Sequence, residues 1–251
     1  MSERRAKFAV PEIWDEQFTK YEPQFLAIER LQVLAVELLL RKPSNVTDVM
    51  RIVLSLLKVT GDGMSDVLFL VGNGRGFGAI KIARSMFEAA VTSKYLVAHP
   101  NEVADFIDFG SLKSAQHLVS LNKHQMGNVS PALFAQAEAQ AAKVRSRFTD
   151  SRGRTRNRWS NKTIREMAEE GELLNVYEVA YGLFSDIHHL SLPGLIAHET
   201  DCCPQSLRVA QGSLLVAIIS ANDLLDPDGH GASIRNQLVA SIKEFNATKQ
   251  T

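Results

Sequence analysis

Cysteine is nearly absent from the 251 residues: the chain has two, Cys202 and Cys203, side by side. Adjacent cysteines do not readily bridge to each other and have nothing else to bridge to, so no disulfide framework holds this fold and a reducing, cytoplasmic compartment is expected. Net charge is absent as well, with 28 Lys and Arg against 28 Asp and Glu. A surface coated in positive charge, the global signature of nucleic-acid and membrane-surface binders, is therefore excluded. No apolar run approaches the roughly 18 residues of a membrane span. The opening text, MSERRAKFAVPEIWDEQF, sets charges on both sides of a very short apolar stretch, unlike a signal peptide. Also missing are alternating strand-length patterns between hairpin turns and any repeat of fixed period. What is present is 45% hydrophobic residues, enough for an ordinary buried core.

The apolar residues recur with helical spacing. From Pro23, which suits a first helical turn, Phe25, Leu26, Ile28, Leu31, Leu34, Ala35, Leu38 and Leu39 succeed one another at three- and four-residue steps. Ser44 is a candidate N-cap for a second helix through Val46, Val49, Met50, Val53, Leu56 and Leu57, with Gly61 as its end. A third, alanine-rich helix comes after the glycines at 72–78 and stops at Pro100, where Asn101 is placed to cap a fourth. Ser130-Pro131 opens a fifth over PALFAQAEAQAAKVRSRF. A polar, mobile loop at about 149–158 then leads to a Ser160-capped helix ending at Gly171, helical text from Glu172 to about Leu192, a helix over Pro204–Leu225, a DPDG turn at 226–229 and a last helix from about Ser233 to Phe245. The expected fold is all-α, an irregular bundle of about eight or nine helices forming a single domain over 1–251, with N-terminal helices at 12–60 packed on the rest.

VLFLVGNGRGFGAIKIAR raises a dinucleotide-binding reading, because an apolar run precedes Gly74-x-Gly76-x-x-Ala79. That motif needs a βαβ unit with an acidic residue closing the next strand, and the residues after Ala79 read as helix, Pro100 and more helix. The glycines are read instead as a helix interruption that lets two helices pack closely, and no cofactor is expected.

Two groups of residues carry chemistry. Tyr177, Tyr181, Ser185 and His189 stand at successive four-residue steps, one ridge on an α-helix that drifts about 40° per step. Arg84 and Glu88 form an i,i+4 pair among Ile82, Ala83, Met86, Phe87, Ala90 and Val91, which reads as a partly buried ion pair. These residues, in RSMFEAAVTSKYLVAHP and later WSNKTIREMAEEGELLNVYEVAYGLFSDIHHLSLPGL, resemble the DUF5677 family of uncharacterised bacterial helical proteins, over roughly residues 65–225. The resemblance implies that Arg84, Glu88, Trp159, Tyr177, Tyr181, Ser185 and His189 hold family-signature positions, with His188 the alternative to His189 for the family's histidine. It also looks distantly like the helical HEPN group, many of whose members cut RNA, although the R-x(4–6)-H motif of those nucleases is absent here.

Residues 143–165 carry nine Lys or Arg against the single acid Asp150, a local excess balanced by an acidic remainder. Arg152, Arg154, Arg156 and Arg158 alternate with small polar residues beside Trp159, a pattern suited to phosphate contacts and base stacking, or to pairing with the chain's own acids. His198, Asp201, Cys202 and Cys203 are ligand-rich but lack C-x-x-C spacing, so no metal is expected.

The expected function is an RNA- or nucleotide-directed hydrolase. His189 would be the general acid/base, Arg84 the cation for phosphate, Glu88 its orienter, Tyr181 and Ser185 the positioning groups, and Ser185 the alternative nucleophile. RNA or a nucleotide would be gathered by the basic loop. The competing expectation is a non-enzymatic interaction or regulatory, defence-associated protein, with a protein partner or a second copy, in which the same residues are a structural polar network. No membrane partner is expected.

Overall fold

A computed structural model of the protein describes residues 10–43, 45–124, 126, 130–181, 184, 201–226 and 232–247. Among these residues there are nine α-helical segments and no strand, with one isolated bridge between Thr149 and Thr155. The all-α reading holds. The chain clusters into two units, Met1–Ala98 with Ile164–Thr251, and His99–Thr163.

In the first unit, α1 runs Pro11–Leu40, opened by Pro11 and not by Pro23. Pro23 lies inside, two residues after Tyr21 departs from helical geometry at φ −119 and ψ 21. A proline ring disrupts the preceding turn, and here the disruption appears as a kink instead of an end. The apolar stripe continues across it, burying Tyr21, Phe25, Ile28, Leu31, Leu34 and Leu38. Helix α2, Asp48–Gly72, is capped by Thr47, whose hydroxyl accepts the Met50 amide, while the expected cap Ser44 lies outside the described residues. Gly61 does not end it. The buried row Val53, Leu57, Thr60, Met64, Val67 and Val71 passes straight through, and its burial outweighs the roughly 1 kcal/mol a helical glycine costs.

The text VLFLVG is thus the last turns of a helix, which removes the dinucleotide-binding reading. The turn after it holds Gly74 at φ +67, and α3, Gly76–Ala98, starts two residues later. This central helix is buried nearly all round and packs between α2 and α8, Cys203–Leu225. At its start a Cβ on Gly76 would stand 2.5 Å from the Cys203 amide nitrogen and 2.8 Å from the Cys202 carbonyl carbon. The Ser206 hydroxyl lies 2.7 Å from the Cys202 carbonyl and 3.1 Å from that of Gly76. Short α6, Ile164–Glu170, packs on α3. It begins four residues past Ser160, whose hydroxyl accepts the Lys162 amide instead of capping the helix. One helical turn, α7 at Leu174–Val176, widens into a π turn over Tyr177–Tyr181. Helix α9, Ala232–Ala247, packs on α1. The DPDG residues 227–229 lie outside the described residues.

The second unit begins with a 3₁₀ turn, Pro100–Glu102, so Asn101 sits within that turn and α4 runs Val103–Lys123 without a side-chain cap. Ser130 caps α5, Pro131–Val144, by accepting the Leu133 amide, and the last expected turn tightens to 3₁₀ at Arg145–Phe148. Phe109, Leu112 and Ala115 of α4 bury against Ala141, Val144 and Phe148. No described helix is long and apolar enough to cross a membrane.

Gly76→Ala is expected to lower unfolding stability by about 1–3 kcal/mol, because backbone must shift to admit the methyl group. Gly110→Ala, in α4 with nothing within 4 Å of its Cβ position, should raise stability by about 0.5–1 kcal/mol. Urea unfolding of the two variants measures both.

Candidate functional site

Helix α3 presents Arg84 and Glu88 one turn apart, and the π turn brings Tyr181 onto them. The Arg84 side chain is 14% exposed and that of Glu88 38%, with Arg84 Nε 3.3 Å from Glu88 Oε1. Arg84 Nη2 donates to the Tyr181 hydroxyl at 2.9 Å, and the guanidinium carbon lies 4.6 Å from the centre of the Tyr181 ring. Tyr177 stacks on Tyr181 with centroids 4.6 Å apart and planes at 16°. The i→i+5 turn is wider than an α turn and sets residues four apart more nearly above one another. Four of the expected site residues therefore meet.

Among the described residues the buried guanidinium is only partly satisfied. Nη1 has no hydrogen-bond partner among them, and Nε, although close to Glu88, lacks hydrogen-bond alignment with it. A buried charged donor left unpaired costs at least about 1–3 kcal/mol, and a bound anion would remove that cost. Burial raises the Tyr181 phenol above its ordinary value; the Arg84 hydrogen bond opposes this and the Glu88 charge adds to it. The phenol stays protonated at neutral pH and acts as a hydrogen-bonding group. Beside the site, Arg165 pairs with Glu178 at 3.6 Å across exposed surface. Ser185, His188 and His189 lie outside the described residues.

In the second unit the basic segment is organised. Asp150 accepts the backbone amides of Arg152 and Arg154, each at 2.9 Å, and the Arg154 guanidinium at 3.1 Å, closing residues 150–154 into a turn. The Arg154 amide bond leads in holding the Asp150 carboxyl below its ordinary value; desolvation opposes it, and the Arg152 amide and the Arg154 guanidinium add to the lowering. Arg145 pairs with Glu138, and Arg147 reaches both Asp105 and Asp108. Arg156 donates to Asn161 and lies over the Phe148 ring. Arg152 and Arg158 are exposed, and their guanidinium groups meet no partner among the described residues. Trp159, expected as a stacking platform, is half-buried: it packs on the second unit's core and meets Phe106 edge-on, centroids 5.2 Å apart.

A further cluster was not legible as a unit in the sequence. Asp201, just ahead of α8, accepts Lys20 Nζ and the Tyr21 hydroxyl at 2.8 Å each and the Cys203 amide at 2.9 Å. Burial alone would raise the Asp201 carboxyl; the hydrogen bonds from Lys20, the Cys203 amide and Tyr21 override it and hold the group well below the carboxylate range. The Asp201 hydrogen bond leads in holding the Lys20 ammonium above its ordinary range. Burial comes first in pushing the Cys203 thiol up to about 12. The position before a helix start marks Asp201 as a capping acid, but its partners lie 180 residues back. Among the described residues no three His, Cys, Asp or Glu side chains gather as a metal would require.

Tyr181→Phe, which leaves Nη2 of Arg84 unpaired as well, should cost about 1–2 kcal/mol in urea unfolding. Tyr177→Phe, which keeps the ring stack, should stay within about 0.5 kcal/mol of the parent. Asp201 is deprotonated in the fold at pH values where it is protonated in the unfolded chain. Its contribution is thus complete above the unfolded value near pH 4 and is lost as pH falls toward the folded one. A pH series of unfolding midpoints should show Asp201→Asn less stable at pH 7 and with a shallower decline below about pH 4.

The model of a family described as "Family of unknown function (DUF5677)" matches residues 50–201, more than half of the chain. The match starts inside α2, where the resemblance began near residue 65, and stops at Asp201 ahead of α8, short of the expected 225. No curated protein and no solved structure matches the chain. On the family match, which covers more than half of its length, the chain belongs to the DUF5677 family.

Proposed function

We propose that this protein is an RNA- or nucleotide-directed hydrolase whose phosphate-holding residue is Arg84. The observation that carries the reading is the buried guanidinium, its Nη1 unpaired among the described residues, beside the Tyr181 hydroxyl and the Glu88 carboxylate. A guanidinium offers planar paired donors that match phosphate oxygens, and a partly dehydrated one stabilises developing negative charge more than an exposed one would. In this reading Glu88 orients Arg84, Tyr181 positions the ligand, and His189 moves the proton, with Ser185 as the alternative nucleophile. Arg152 and Arg158, exposed and without a guanidinium partner among the described residues, are the groups assigned to substrate phosphates. The same reading puts the chain in the cytoplasm, which suits its two free, buried thiols.

A second reading has a specific observation behind it. Arg84 already joins α3 to the π turn through a hydrogen bond and a ring contact to Tyr181, and pairs with Glu88 on its own helix. A structural network in a non-enzymatic interaction protein would use the same contacts.

The experiment compares cleavage of single-stranded RNA and of nucleoside triphosphates by the parent, Arg84→Ala and His189→Ala, with circular dichroism and melting temperature matched. The hydrolase reading expects cleavage that falls by about 100-fold or more in each variant. Absence of cleavage by the parent, or undiminished cleavage in both variants, overturns it. Lower melting temperatures without any parental activity support the structural reading.

A further inference from the structure

The last turns of α3 and α8 and the end of α6 enclose a pocket of about 270 Å³ in the first unit. Its hydrocarbon wall is formed by Val97, Val216 and Ile219. Neither α3 nor α8 carries a basic residue in its last turn, so the negative ends of both helices are uncompensated from within. Two acidic residues, Glu170 and Asp223, line the same space, and both engage other groups as well. Among the described residues Lys94 is the one cation lining it. Its methylene stem crosses the face of Gly171, where a Cβ would stand 3.4 Å from Lys94 Cδ, and it forms no ion pair with any described residue.

These groups select against a ligand of either single charge. An anion would meet two carboxylates and two helix C-termini, whereas a cation would meet the Lys94 ammonium. The volume lies just under the roughly 300–1,000 Å³ of drug-sized ligand pockets, too small for a nucleotide and ample for a metabolite of amino-acid size. We infer that this pocket binds a small zwitterion of the apolar α-amino-acid class. Its ammonium is taken by Glu170 and Asp223, its carboxylate by Lys94, and its hydrocarbon side chain by Val97, Val216 and Ile219. The site is separate from Arg84, which precedes Lys94 on α3 by ten residues, or about 15 Å of helix.

Calorimetry on the full chain with leucine, its decarboxylated amine isoamylamine and its deaminated acid 4-methylpentanoate tests the inference, with valine, methionine and phenylalanine as further probes. At least one of the four amino acids should bind. Where leucine binds, each singly charged analogue should bind about tenfold or more weakly, since each lacks one charge-assisted contact. Lys94→Met should reduce amino-acid affinity by a similar factor. Ala98→Trp, which fills the mouth of the pocket from an exposed position, should abolish binding with the fold intact by circular dichroism. No binding of any of the four amino acids at millimolar concentration overturns the inference, as does an analogue that matches leucine or unchanged affinity in Lys94→Met. None of these outcomes depends on whether the protein cleaves RNA.

Discussion

No side chain fits at position 76. The first turn of α3 and the Cys202-Cys203 peptide at the start of α8 approach so closely that an added Cβ would collide with backbone on the far side. Backbone cannot move aside as a flexible side chain does, so this contact sets the spacing of the two helices. Asp201, one residue before that peptide, ties the same point to Lys20 and Tyr21 of α1. Three helices distant in sequence are thereby fixed at one corner. Arg84 stands about two turns along α3 from it, so the placement of the buried guanidinium inherits that rigidity.

The helices were legible because their apolar residues recur every three or four positions, and that period needs no tertiary information. The misread boundaries share one cause: each rested on a single residue's local preference where packing decided otherwise. Gly61 and Pro23 resemble punctuation, yet buried rows on α2 and α1 run past both. Ser160 resembles a helix cap, yet its hydroxyl serves the Lys162 amide and the Glu102 carboxylate. The Arg84–Glu88 pair was legible from i,i+4 spacing, as was the Tyr177–Tyr181 neighbourhood. The π turn was not, since counting in fours presumes 3.6 residues per turn and nothing in YEVAY announces a wider one. The tie at Asp201 was hidden for a different reason: local patterns cannot pair residues 180 apart.

The charge balance acquires a spatial meaning in the second unit. Its arginines look like a surplus along the chain, but Arg145, Arg147 and Arg154 each face an acid of the same unit. Exposed pairs of this kind contribute little to stability, typically about 0–1 kcal/mol. Their effect is on which charges remain available. The turn built on Asp150 pairs Arg154, and Arg156 is held by Asn161 and the Phe148 ring, so among the described residues Arg152 and Arg158 are the exposed guanidinium groups of the run left without a partner.

The burial of Cys203 beside Gly76 has a kinetic consequence. Only the thiolate reacts with alkylating reagents, and a thiol held near 12 in a site 2% exposed offers almost none of it in the closed fold. Reaction therefore waits for α3 and α8 to part locally, an event with its own free energy below that of global unfolding. The alkylation rate of this natural side chain is consequently a clock for the opening of the corner on which the site rests.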